Sequence, residues 1–352
     1  MAENLLLALL LASLCLWSGL LWLVARHIQR RQRPRGPAPL LLANALGTFL
    51  LISLLAASGE VYWRFIADTT ESLSYTRLTT RWFDRHWILN GANVRDNVEY
   101  QPLIAPGKRR VTFVGDSFTA AQGVKNVEDR FVNRIRRAHP GWEVHMMAVL
   151  GFDTGHELDR MDQVLKDGYQ IDEVVLVYCL NDVSDMMPEI AAAAARLRAE
   201  VDASGWLRRN SYLVDTLAHR LAMRRNPFMQ GYYDLVRNGY EGDLWERQKK
   251  RLAAFRDLVA AHGGRLSVVT FPFVHDLGPN YPYQSVHVRL NRLWAELQVP
   301  HLDLLPVFKD LPPRQLMVNR FDAHPNEYAH ALATAAIDRF LTERLPDKPQ
   351  GQ

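Results

Sequence analysis

The sequence predicts an α/β protein: a three-layer α/β/α sandwich around a mainly parallel sheet, preceded by an N-terminal two-helix transmembrane hairpin. Three observations carry this. From residue 109 onward, short apolar β-branched runs alternate with amphipathic helical stretches. The apolar runs stop at small or polar turn residues, at Gly115-Asp116-Ser117, at Gly151 and at Asn181-Asp182. Two uncharged apolar stretches fill the first 58 residues, with an arginine cluster between them.

Residues 4–25 carry no charge, and at 1.5 Å per residue they reach about 33 Å as a helix, enough to cross a bilayer core. A second uncharged run covers residues 37–58. Between them, Arg26, Arg30, Arg31, Arg33 and Arg35 mark a loop held in the cytoplasm, which leaves the N-terminus and everything beyond residue 60 outside. Trp22, Tyr62 and Trp63 suit membrane interfaces. A cleaved signal peptide fits poorly, because Met-Ala-Glu-Asn offers no positive leader. Residues 59–108 form a juxtamembrane arm of aromatics, arginines and turns. Its default role is structural, and Arg95 and Asn97 are its candidates to reach a substrate.

Residues 109–346 form the globular domain. Strands are expected at 110–114, 142–150, 172–180, 265–271 and 301–305. Helices are expected at 129–138, 154–168, 244–262, 285–298 and 325–344, the last with Pro325 at its first position. Strands separated by helices mean a parallel sheet, whose ligands bind beyond the carboxyl ends of the strands. Residues 183–243 interrupt the alternation. Stretches 190–200 and 211–225 read as helices, with Leu213, Leu217 and Leu221 on one stripe of the second, and 226–242 as an aromatic, turn-rich segment. The insertion is a lid, a docking surface or a plain cap.

Composition narrows the function classes. The 352 residues are 48% hydrophobic and 23% charged with a formal charge of only +4, so no basic face for nucleic acid is expected. Cys15 and Cys179 fall in unrelated apolar runs, and no Cys/His cluster has zinc-ligand spacing. Gly-x-Ser-x-Gly, Walker and dinucleotide motifs are absent from the sequence. The remaining chemistry gathers at strand ends. Ser117 closes the first strand, and His324 with Asp322 lies just ahead of the last helix, giving a hydroxyl, a base and an orienting acid. His275-Asp276 is a satisfied loop pair first and a lining of the site second, His156 reads as structural, and Asp116 and Asp182 as turn caps.

In this order the blocks resemble the SGNH/GDSL hydrolase superfamily. Gly115-Asp116-Ser117 matches its first block, Gly151 the second, Asn181-Asp182 the third, and Asp322 with His324-Pro325-Asn326 the last. The resemblance covers residues 109–344. Asn93-Val94-Arg95-Asp96 and Gly123-Val124 are similar to bacterial members anchored in the inner membrane and associated with surface glycans. The resemblance implies the flavodoxin-like SGNH fold, Ser117 as nucleophile, His324 as general base and Asp322 as its orienter. It implies an oxyanion hole from the Ser117 and Gly151 amides and the Asn181 side chain, with no metal or organic cofactor. Two positions depart from the pattern. Cys179 stands where the third block has glycine, and Asp322 lies two residues before the histidine rather than three, so a backbone carbonyl is the alternative orienter.

Three functions follow as expectations. The first is a membrane-anchored, extracytoplasmic (periplasmic) serine esterase or deacylase acting on acyl esters, O-acetyl groups of a surface polysaccharide among them. The second is an O-acyltransferase using the same serine, supplied by a multi-span acyl donor protein. The third is a non-catalytic scaffold of an envelope-glycan assembly complex.

Overall fold

The computed structural model describes residues 2–30 and 36–345. Arg31, Arg33 and Arg35 of the expected loop, and residue 346 at the expected domain end, lie outside the described residues. The chain divides into two compact units, one of residues 1–81 with 198–225, the other of 82–197 with 226–352.

The first unit opens with the apolar stretches as helices α1 (Ala2–Arg30) and α2 (Ala38–Val61), the second continued by a π-helical turn, Tyr62–Ile66. Both are long and apolar enough to cross a bilayer, at 27 residues for Asn4–Arg30 and 29 for Ala38–Ile66. They pair as an antiparallel hairpin, with Trp17 stacked on Phe49 at 5.3 Å between centroids. Helix α3 (Arg77–His86) follows. Its Trp82 starts the second unit and is wholly buried among Phe83, His86 and Trp87.

In the second unit the alternation predicted from sequence is present as β1 (Arg109–Gly115), α4 (Ser117–Ala120), α5 (Phe131–Ala138), β2 (Trp142–Met146), α6 (Thr154–Lys166) and β3 (Glu173–Cys179). The insertion then carries α7 (Pro188–Asp202), α8 (Trp206–Asn210), α9 (Tyr212–Arg225) and α10 (Pro227–Asn238). Its middle, residues 198–225, belongs to the first unit, and α10 to the second. After it come α11 (Gly242–Ala261), β4 (Arg265–Phe271), α12 (Gln284–Glu296), β5 (His301–Asp303), α13 (Leu305–Phe308) and α14 (Pro313–Leu316). Strands β6 (Met317–Asn319) and β7 (Asp322–Pro325) make a small antiparallel ribbon ahead of α15 (Glu327–Thr342).

Strands β1–β5 form one parallel sheet in the order β2-β1-β3-β4-β5, the flavodoxin-like order. Right-handed crossovers then put α5 on one face and α6, α11 and α12 on the other. The packing agrees: α15 lies on α5, and α11 on α6. Strand β3 is central, so Val174, Val175, Leu176 and Val177 are all buried. Each contributes on the order of 1.5–3 kcal/mol, and the unbroken apolar run follows from burial on both faces.

Three boundaries differ from expectation for local reasons. Strand β2 ends at Met146, although the Met147 and Val149 amides still donate to the Phe113 and Gly115 carbonyls. Pro325 closes β7 rather than opening the last helix, because Asn326 caps α15 through the Tyr328 and Ala329 amides. The segment 226–242 contains helix α10, started by Asn226, whose side chain accepts from the Phe228 and Met229 amides, and by Pro227 at the first position.

Residues 82–108 are laced onto the sheet by buried charge. Asp96 is held by Arg136 at 2.6 and 3.0 Å, by Arg130 at 3.2 Å and by the Tyr100 hydroxyl. Burial pushes the Asp96 carboxyl up, but the Arg136 hydrogen bonds and the two guanidinium charges outweigh it and hold it at about 2. A carboxyl with a depressed folded pKa stabilises above its unfolded value and loses that contribution as pH falls through the folded one. Stability is therefore expected to drop by about 2 kcal/mol between about pH 4 and about pH 2 from this group. Fluorescence-detected unfolding across that range should show a shallower decline in Asp96→Asn, from a lower starting stability.

Candidate active site

Strand β1 is buried from Arg110 to Gly115 and delivers the chain to the carboxyl edge of the sheet. Gly115 is required there: a Cβ would sit 2.9 Å from the Val177 carbonyl oxygen and meet the Thr119 side chain. The next residue, Asp116, turns its carboxylate onto the Phe118 amide at 2.8 Å and caps the short helix α4. Ser117 is the first residue of that helix, half-buried. Because β1 and β3 are neighbours whose connections leave in opposite directions, Ser117 and Asn181 flank the switch point of the sheet, where such folds form their binding crevice.

The turn after Ser117 is fixed from below by Arg95. Its buried guanidinium donates to the carbonyls of Ala121 at 2.7 Å and Val124 at 2.6 Å, and its face lies against Trp82 and Trp87. Burial and the neighbouring Arg130 charge lower the Arg95 pKa to about 9. Asn97 bonds to Glu128 at 2.8 Å. Arg95 thus holds the serine turn from within the fold, while Asn97 stays exposed at the surface.

The base arrives on the β6–β7 ribbon. His324 Nε2 lies 2.8 Å from Ser117 Oγ, and His324 Nδ1 lies 2.5 Å from Asp322 Oδ1. Asp322 is buried, and the same oxygen accepts the His324 amide at 3.2 Å. The short Asp–His spacing has a simple geometric basis. On extended backbone residues i and i+2 share a face, and both lie on β7. The carboxylate fixes the proton on Nδ1, so Nε2 is left to accept from the serine hydroxyl. Burial pushes the His324 pKa down, but the charge and hydrogen bond of Asp322, helped by Asp116, prevail and raise it above its ordinary value.

The remaining candidates sit on the flanking loops. Gly151 is exposed at φ +72°, a left-handed conformation that suits glycine. Its loop is tied to the serine turn by the Val149 amide on the Gly115 carbonyl at 3.2 Å. Asn181 follows β3, half-buried beside the Asp116 carboxyl. Asp182 caps the same turn by accepting the Cys179 amide at 2.8 Å. The Cys179 side chain is wholly buried and fills the core at the end of β3.

Sequence reasoning missed two features around this site. One is a set of buried carboxyls: burial and mutual repulsion push Glu157 and Asp182 well above their usual range, with Asp116 and Asp153 among their neighbours. Nothing in the spacing of Glu157 marks it out. The other is an aromatic cluster in which Tyr233 of α10 lies tilted against His275 at 3.9 Å between centroids and packs edge-on to Phe273. The Asn226-Pro227 helix start was the available signal for α10. Burial lowers the His275 pKa against the opposing charge of Asp276, whose carboxylate lies 3.7 Å from its ring. Ligand atoms of Asp153, His156 and Asp185 fall within 4.8 Å of one another. Arg251 already neutralises Asp185, and His156 bonds Asp153 at 2.7 Å.

No protein-family model matches the chain, and no curated protein matches it in sequence. Among solved structures it is similar to TesA, at 14% identity over 67% of this chain and 99% of that one, TM-score 0.43. It is similar to the psychrotrophic esterase EstA from Pseudoalteromonas sp., at 14% identity over 68% and 99%, TM-score 0.42. A third similar structure is a putative lipolytic protein of the G-D-S-L family from Desulfitobacterium hafniense DCB-2, at 12% identity over 66% and 100%, TM-score 0.41.

Proposed function

We propose that this chain is a membrane-anchored SGNH/GDSL-type serine esterase that removes acyl groups, O-acetyl foremost, from a cell-surface polysaccharide. The observation that carries the reading is the continuous Asp322–His324–Ser117 hydrogen-bond relay at the carboxyl edge of the parallel sheet.

The chemistry follows from that relay. Ser117 Oγ attacks the ester carbonyl carbon as His324 Nε2 takes the hydroxyl proton. Asp322 stabilises the imidazolium that results. The carbonyl oxygen becomes an oxyanion, received by the Ser117 and Gly151 amides and the Asn181 side chain, each donor worth about 3–4 kcal/mol. His324 then gives its proton to the departing sugar oxygen, leaving an acyl-serine. Water, deprotonated by the same imidazole, releases the acid and restores Ser117.

The anchor reading rests on the two long apolar helices. In support of a cytoplasmic loop and a periplasmic α/β unit at a bacterial inner membrane, the sequence between them is rich in arginine. Incubating the purified full chain with an acetylated oligosaccharide tests the reaction. One free acetate per acetyl lost from the sugar is the expected result. Acetyl groups appearing on an added acceptor sugar, without matching acetate, would instead assign acyl transfer.

A further inference from the structure

In the unit formed by residues 1–81 and 198–225, the end of the second apolar helix is bonded to the start of α9. Glu60 is wholly buried and accepts from Ser211 Oγ at 2.7 Å, the Tyr212 amide at 3.1 Å and the Leu213 amide at 3.0 Å. Ser211 Oγ accepts the Val214 amide at 3.0 Å, so Glu60 and Ser211 together satisfy the first amides of α9. Gly59 makes room for the contact, since a Cβ there would come 3.0 Å from Leu213 Cδ2. Helix α8 in turn touches α1. Both short helices therefore begin at the level where the apolar hairpin ends.

Helix α9 is inverted for a helix in water. Its polar side faces inward. Asp215 accepts from the Arg77 amide at 2.7 Å and from Arg208 at 3.0 Å, and His219 meets the Ser72 carbonyl at 3.0 Å, while Asp215, Thr216 and His219 are all buried. Beyond Leu213, its leucines face outward: Leu217 is 52% exposed, and Leu221 one turn on is nearly as open. On α8, Trp206 is 46% exposed beside an open Leu207. The emerging end of the hairpin exposes Tyr62, Phe65 and Ile66 as well. An apolar outer face continuous with a membrane-spanning surface, with exposed Arg209 and Arg225 at its ends, matches a helix lying in the lipid headgroup region.

We propose that α8 and α9 form an interfacial membrane contact, with Trp206, Leu207, Leu217 and Leu221 inserted at the headgroup–acyl boundary of the leaflet from which residues 59–66 emerge, and Arg209 and Arg225 among anionic lipid headgroups. The proposal rests on the reading of α1 and α2 as membrane spans. The test uses the full chain in nanodiscs of phosphatidylcholine and phosphatidylglycerol, in a Cys15→Ser background where the only other thiol, Cys179, is buried. Single variants Leu207→Cys, Leu217→Cys, Leu55→Cys on α2 and Val288→Cys on α12 carry a fluorophore, and lipids bearing an acyl-chain nitroxide near the glycerol serve as quencher. Labels at 207 and 217 should lose fluorescence as the label at 55 does, while the label at 288 keeps it. If 207 and 217 keep their fluorescence as 288 does while 55 loses it, the interfacial contact is overturned and the anchor stands. If 55 keeps its fluorescence too, the anchor reading falls and takes this proposal with it.

Discussion

Replacing Ser117 with alanine is expected to lower kcat for a short-chain aryl ester by about 10⁶-fold, and His324→Ala by nearly as much. The size comes from what the two atoms do together. Without Oγ no acyl-serine forms, and without the imidazole the hydroxyl 2.8 Å away keeps its proton. The double variant is expected to be hardly worse than either single one, since each alone already breaks the same step. Folding should be little changed in Ser117→Ala. The helix there is capped by the Asp116 side chain and the Phe118 amide, and the loop after it is held by Arg95. An unchanged unfolding transition beside a lost turnover separates chemistry from collapse. A Ser117→Ala protein with full esterase activity would contradict the assignment.

Asp322→Asn is expected to cost about 10⁴-fold in kcat. The asparagine amide fills the same space but can donate to Nδ1, which turns the imidazole to the wrong tautomer and leaves the imidazolium without its counter-charge. A second signature lies in the pH profile. His324 is a base only when neutral, and Asp322 is what raises its pKa against the effect of burial. Removing the charge lets that pKa fall, so the acidic limb of the residual activity moves to lower pH. A loss of rate with no movement of that limb would mean that Asp322 only packs beneath the ribbon.

That second prediction concerns the position where the sequence departs from the family pattern it resembles. The strand-end serine, the Gly151 loop and Asn181 are legible in sequence because each follows a buried apolar run whose end fixes its place. The ribbon is not, because β6 and β7 are three and four residues long, too short for an alternation to register. Yet it is the ribbon's extended backbone that lets an acid two residues before the histidine reach its Nδ1. Arg95 has the same lesson in a different form. A lone arginine in an aromatic, polar segment gives no sign of burial, since its partners are backbone carbonyls at 121 and 124 that any sequence would carry. The division of the insertion is likewise hidden. Leu213, Leu217 and Leu221 announce a stripe, but only Glu60 and Gly59 reveal what the stripe starts on.

Every step proposed above depends on Ser117 being an activated nucleophile. Intact-protein mass spectrometry after treatment with a fluorophosphonate tests it most directly. A single phosphonyl adduct is expected, mapped to the peptide bearing Ser117, that disappears in Ser117→Ala and forms far more slowly in His324→Ala. An unlabelled native protein, or an adduct that persists in Ser117→Ala, would contradict it.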